Sequence, residues 1–221
     1  MSIEPDTKDW TWVIDKACPD CGWDPEEVDR EQFADKLHET TKGWYDMLAD
    51  ADYAVRPAPH VWSRLEYACH VRDVHRIFAE RVKRMLVEDD PTFDNWDQDA
   101  TAEEEDYGLQ EAASVGVDLV ERAAEAAAIY ASVEGDQWQR KGRRRAKDGA
   151  RDAAGDDTAD AAGGSEGGAG EDAGDDAEGA GAGADEGAEF TVETIGRYHL
   201  HDVIHHLWDI SITPAPPAPD A

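Results

Sequence analysis

Arg197-Tyr-His-Leu-His-Asp-Val-Ile-His-His-Leu-Trp-Asp-Ile210 carries four of the chain's eight histidines, at His199, His201, His205 and His206. Its apolar residues recur at the helical period, so the stretch is placed on a wheel at about 100° per residue. His199, Asp202 and His206 then fall on one stripe. His201 and His205 fall on another, with Tyr198 nearby, and Leu200, Val203, Ile204 and Leu207 fill the arc between the stripes. Each stripe holds an i,i+4 pair of potential ligands, the spacing at which two side chains of one helix reach one ion. A helix of this kind needs partners to cover its apolar arc, and the preceding chain supplies them.

Thr191 is placed to cap this last helix, which is expected to run to about Ile210. A first helix is expected over residues 31–49. Asp29 with Gln32 makes a capping box there, and Phe33, Leu37, Trp44, Met47 and Leu48 form a buried face. Arg56-Pro-Ala-Pro-His60 then breaks the chain into a turn. The second helix opens at Trp62-Ser63 with a Ser63/Glu66 capping box. Leu65, Ala68, Cys69, Val74, Ile77, Phe78, Val82 and Met85 carry it to about Val87. His70 and His75 lie inside that pattern, where a histidine is by default a packed core residue. A third helix is expected over residues 109–133, with Val117, Val120, Ala124, Ala127 and Ile129 inward and Gly135 as its stop. Four helices with long connections predict an all-α four-helix bundle.

The bundle is assigned to residues 30–140 and 189–211. Residues 1–29 form a lead-in, in which Trp10, Trp12 and Ile14 share one side of an extended segment lying against the domain. Cys18-Pro-Asp-Cys21 offers two thiolates to a metal, or a redox pair. No second Cys-x-x-Cys follows, so an inert turn is the plainer reading. Residues 141–188 are expected to be a disordered insertion, Ala/Gly-rich and acidic, and residues 212–221 a Pro-rich tail. The basic cluster Lys141–Lys147 beside the acidic run suggests neutralisation within the chain.

The formal charge is −31, of which residues 148–189 contribute −13, so the remainder still carries −18. Such a surface repels phosphate backbones and anionic headgroups, which argues against nucleic-acid or membrane partners. The chain has no apolar run long enough for a bilayer span, and its three cysteines suit a reducing compartment. A cytoplasmic protein, monomer or homodimer, is expected.

Packing alone does not account for four histidines within eight residues beside an aspartate. A general base needs one histidine rather than two stripes, and a pH switch needs a bistable element. A metal site needs about three convergent ligands, which a bundle core gathers from facing helices, and the second helix offers His70.

Val61-Trp-Ser-Arg-Leu-Glu-Tyr-Ala-Cys-His-Val-Arg-Asp-Val74 resembles the second-helix signature of the DinB/YfiT-like superfamily, in which a Trp-Ser pair opens the helix and a following histidine is the first metal ligand. His205-His-Leu-Trp-Asp-Ile210 is similar to that family's last-helix pattern His-His-x-x-Gln-Ile, with Asp209 where Gln is common. The resemblance implies a four-helix bundle holding a divalent ion, by default zinc, on His70, Asp202 and His206. Histidine is common at the Asp202 position, and the related mycothiol-dependent maleylpyruvate isomerases use glutamate. A register one residue earlier selects His201 and His205 as the pair, and Asp73 and Tyr198 are candidates to orient the ligands. The implied activity is an S-transferase or isomerase acting on an electrophilic substrate. Its cosubstrate would be mycothiol or a similar low-molecular-weight thiol, presented as a thiolate. The alternatives are a metal-dependent hydrolase or a non-catalytic metal-binding or stress/regulatory module. The catalytic residues beyond the ligands are left open.

Overall fold

The computed structural model of the chain describes residues 3, 8–145 and 187–212. The expected disordered insertion over 146–186 and the tail from 213 lie outside the described residues. Five α-helices are described: α1 (Phe33–Leu48), α2 (Arg64–Val87), α3 (Gln98–Glu104), α4 (Ala112–Ala131) and α5 (Val192–Ile212). Three short strands accompany them: β1 (Thr92–Phe93), β2 (Lys141–Arg144) and β3 (Glu189–Thr191). Among the described residues no helix is long and apolar enough to cross a membrane.

The four long helices form the expected bundle, packed in the cyclic order α1, α4, α2, α5. Helices consecutive in the chain are therefore diagonal in the bundle at the α1–α2 and α4–α5 connections. That arrangement sets α2 directly against α5, the two helices that carry most of the histidines. Near one end His70 meets His206, and further along Phe78 meets Tyr198 and His199, so the pair is antiparallel.

Both capping boxes form, Asp29 with Gln32 and Ser63 with Glu66. The Glu66 carboxylate also binds Arg56, which ties the Pro-broken turn to the start of α2. Thr191 caps α5 by accepting from the Thr194 N–H at 3.1 Å. The core is built from Phe33, Leu37 and Trp44 of α1, Leu65, Val74, Val82 and Met85 of α2, Leu119 and Tyr130 of α4, and Ile195 and Leu200 of α5. A Cβ at Gly196 would lie 2.5 Å from the Phe33 ring, so α5 approaches α1 this closely only with glycine there.

Several expectations are corrected. On α4 the inward residues are Val115, Gly116, Leu119, Ala123, Ala126, Ala127 and Tyr130, whereas Val117 and Val120 are 47% and 41% exposed. Gly116, Ala123, Ala126 and Ala127 let the neighbours approach closely, and Val117 and Val120 lie on the other face. The chain between α2 and α4 contains α3, capped by Asp97, and a 3-10 turn at Tyr107–Leu109, so the helix expected from 109 begins at Ala112. Residues 11–14 are a 3-10 turn rather than an extended segment, so Val13 is the buried residue there, with Trp10 and Trp12 partly buried.

Lys141–Arg144, expected at the start of the insertion, is instead β2. It pairs parallel to β1 and antiparallel to β3. Its basic side chains are neutralised by folded residues: Lys141 and Arg143 by Glu189, Arg143 also by Asp90, and neighbouring Arg145 by Asp94. Arg140 donates to the Met85 and Glu88 carbonyls at the end of α2. This small sheet thereby holds the entry to α5 against the end of α2.

Candidate metal centre

His70 of α2 and Asp202 and His206 of α5 come together so that one ligand atom from each lies within 4.8 Å of the others. Asp202 Oδ1 is 3.7 Å from His70 Nε2 and 3.4 Å from His206 Nε2. The i,i+4 spacing on α5 aims Asp202 and His206 at one point, and the antiparallel crossing brings His70 to the same point. His206 Nδ1 lies 3.0 Å from Asp209 Oδ2. A carboxylate only accepts, so Nδ1 carries the proton and, in the neutral ring, the Nε2 lone pair is turned toward Asp202.

The cluster has the electrostatics of a cation site. Both ring nitrogens of His70 and Asp202 Oδ1 are buried without a hydrogen-bond partner. Leaving such groups unsatisfied costs about 1–3 kcal/mol each, a cost that a cation shared by one His70 nitrogen and Asp202 Oδ1 would remove for those two atoms. Burial pushes the His70 pKa down, partly opposed by Asp202, and thereby keeps the lone pair of the neutral ring available. Burial alone would raise the Asp202 carboxyl, but His70, His206 and His201 around it hold it well below the usual carboxylate range. Two neutral imidazoles and one carboxylate suit a divalent ion such as zinc.

His70 and Asp202 Oδ1 are buried, while the Asp202 and His206 side chains keep 21% and 18% of their surface exposed, so it is the α5 side of the cluster that reaches solvent. Its walls are aromatic. Trp96 stacks on the His70 ring at 5.2 Å and 6°, and Trp62 packs on it at 5.2 Å. Tyr67 lies against His206 at 5.4 Å. Trp96 is held by donating to Thr101 Oγ1 of α3 at 2.8 Å, which gives the short unexpected helix a place in the site. Trp96, Tyr67 and the orienting role of Asp209 were not read as site features from sequence. Asp209 differs from the family pattern and could have drawn notice, whereas Trp96 sits in a polar link with no periodicity.

The second register of α5 gathers a different set of residues. His201 and His205 lie on the neighbouring face, about 100° round the helix, and meet Cys18 and Cys21, the four ligand atoms again lying within 4.8 Å of one another. His199, on the wheel stripe of Asp202 and His206, goes elsewhere. Its Nε2 is 3.0 Å from His75 Nδ1 and its Nδ1 3.3 Å from the Tyr130 hydroxyl, inside the core. The hydrogen bonds of Asp73 go to other groups; it accepts from the Tyr107 hydroxyl at 2.5 Å and from Arg72 at 2.8 Å. Tyr198 stacks on Phe190 at 5.9 Å and packs on Phe78.

YfiT from Bacillus subtilis, described as a probable metal-dependent hydrolase with an unusual four-helix bundle topology, has a similar fold. The TM-score is 0.57 at 16% identity, over 86% of this chain and 91% of that one. No curated protein matches the sequence. The sequence profile of the DinB superfamily matches residues 34–210, from the first helix through the last. That span takes in the whole bundle and both helices that build the His70–Asp202–His206 cluster, and the chain belongs to the DinB superfamily.

Proposed function

We propose that this protein is an enzyme dependent on a divalent metal, zinc by default, held by His70, Asp202 and His206. The observation that carries the reading is the convergence of three unsatisfied or pre-oriented ligand atoms at a point that opens to solvent on one side. Three protein ligands are the number that leaves a position for a reactant. A divalent ion there lowers the pKa of a nucleophile beside it, whether water or a thiol, and polarises an electrophile.

The chain's own residues supply the setting. Asp209 fixes the His206 tautomer, Trp96 and Trp62 clamp the His70 ring, and the aromatic walls keep bulk water from the buried side. The description of YfiT as a hydrolase supports water as the nucleophile. The likeness of the helix motifs to thiol-dependent isomerases supports a low-molecular-weight thiol such as mycothiol, with an electrophilic small molecule as its partner. The acidic surface favours small-molecule substrates over nucleic acid or membrane. The test is to assay metal-loaded protein against activated esters and amides, and against electrophiles with and without added thiol. Activity that is lost on chelation, restored by zinc and lost in Asp202→Ala supports the proposal, and the substrate panel identifies the nucleophile. Equal turnover by chelated wild type would overturn it.

A further inference from the structure

We infer that Cys18, Cys21, His201 and His205 form a second, closed metal site, a Cys2His2 zinc centre that fastens the N-terminal segment to α5. It stands apart from the proposed active centre and does not depend on that reading. Tetrahedral zinc with bonds of about 2.0–2.3 Å requires ligand atoms roughly 3.3–3.8 Å apart. Cys18 Sγ is 3.7 Å from His205 Nδ1, and all four ligand atoms fall within 4.8 Å of one another, so only small adjustments separate the set from that geometry.

Each half of the site is shaped locally. Between the cysteines the chain turns back on itself, the Gly22 N–H donating to Cys18 O at 3.0 Å and the Cys18 N–H donating to Trp23 O at 2.7 Å. Gly22 has φ +75°, which glycine adopts without a Cβ penalty. The turn presents both sulfurs to the same face of α5. On the helix, His201 Nε2 is buried without a hydrogen-bond partner. His205 directs Nε2 toward Asp209 Oδ1 at 3.7 Å, leaving Nδ1 for the Cys18 side. A carboxylate behind a ligating imidazole is the usual orienting arrangement of metal-bound histidine.

The enclosure differs from that of the His70 cluster. Cys18 and His201 are almost fully buried, His205 nearly so, and Cys21 is half-buried. Trp10 covers both rings at 5.4 and 4.8 Å. Four protein ligands leave no position for a substrate, which marks a structural site. Two thiolates and two neutral imidazoles around Zn²⁺ sum to zero charge, so the ion can be buried without an unpaired charge. On binding, each thiol loses its proton to solvent as its sulfur–zinc bond forms, with no change of oxidation state.

The test uses full-length protein. As purified, Cys18 and Cys21 should react slowly with a thiol reagent and become reactive on chelation, a comparison that needs no folded metal-free form. Stripped under reducing conditions and titrated with Co²⁺, the wild type should develop thiolate-to-cobalt charge-transfer absorption over one equivalent. That band should persist in His70→Ala and vanish in Cys18→Ser/Cys21→Ser. The inference is overturned by a wild type without the charge-transfer band. It is equally overturned by a band that disappears in His70→Ala, or by a Cys18–Cys21 disulfide forming in saturating zinc. None of these outcomes bears on whether the His70 cluster holds its own ion.

Discussion

Asp209 is the residue on which the two clusters meet. One carboxylate oxygen lies 3.0 Å from His206 Nδ1 and the other 3.7 Å from His205 Nε2. Adjacent histidines on neighbouring faces of α5 thus share one carboxylate. Orienting carboxylates of this kind are worth about 10–100-fold in metal affinity. Asp209→Ala should therefore weaken zinc binding by a factor in that range, measured by competition with a chromophoric chelator, while the helical circular dichroism stays unchanged. An unchanged affinity would remove Asp209 from the account.

His75 makes a second prediction at this scale, because it lies in the core rather than at either cluster. Burial lowers its pKa to about 4 in the folded protein, against about 6.5 in an unfolded chain. Between those values the unfolded state binds the extra proton, so stability rises with pH across that window. It is fully present above about pH 6.5 and is lost as pH falls toward about 4. Replacing His75 by Gln should flatten the stability–pH slope in that window by up to one proton, about 1.4 kcal/mol per pH unit. Denaturant unfolding at several pH values would show it, and an unaltered slope would contradict it.

At the scale of elements, the site depends on the start of α2 and on its fit against α5. Ser63 accepts the Glu66 N–H at 3.3 Å, and the Ser63 N–H and hydroxyl both donate to the Glu66 carboxylate at 2.8 Å. Ser63→Ala should cost about 1 kcal/mol of stability, read as a shift in the denaturant midpoint, and a neutral result would show that the cap is dispensable. Helices α1, α2 and α5 were legible in the sequence because apolar residues recur at the helical period behind start signals at Asp29/Gln32, Ser63/Glu66 and Thr191. Helix α4 was legible as a helix but not in its orientation, since in an alanine-rich helix the buried face is chosen by how closely the neighbours approach. The strands are two to four residues long, too short for a period-2 pattern, and they exist because β2 and β3 pair across a long stretch of sequence. The i,i+4 ligand pairs were readable from spacing on α5. The pairing of Cys18-x-x-Cys21 with His201 and His205 was not, because nothing local links segments about 180 residues apart in the sequence.

At the scale of the whole molecule, electrostatic repulsion prevails outside the core. With −31 overall and −18 outside residues 148–189, the bundle repels itself at low ionic strength. Added salt should raise the melting temperature, most steeply up to about 0.15 M, where the screening length falls to about 8 Å. A melting temperature independent of salt would mean that the acidic residues are too widely spaced to interact. The bundle's cyclic order has a functional consequence as well. By setting α2 beside α5 it creates the cluster at His70, and by leaving the adjacent face of α5 to the N-terminal segment it creates the one at Cys18 and Cys21.

The measurement that tests the central claim most directly is metal content per chain, by elemental mass spectrometry, of untagged wild type and His70→Ala loaded with zinc and freed of excess. The account predicts one equivalent fewer in His70→Ala, at unchanged helical content. Equal zinc in the two proteins would contradict the assignment of His70, Asp202 and His206 as the metal centre.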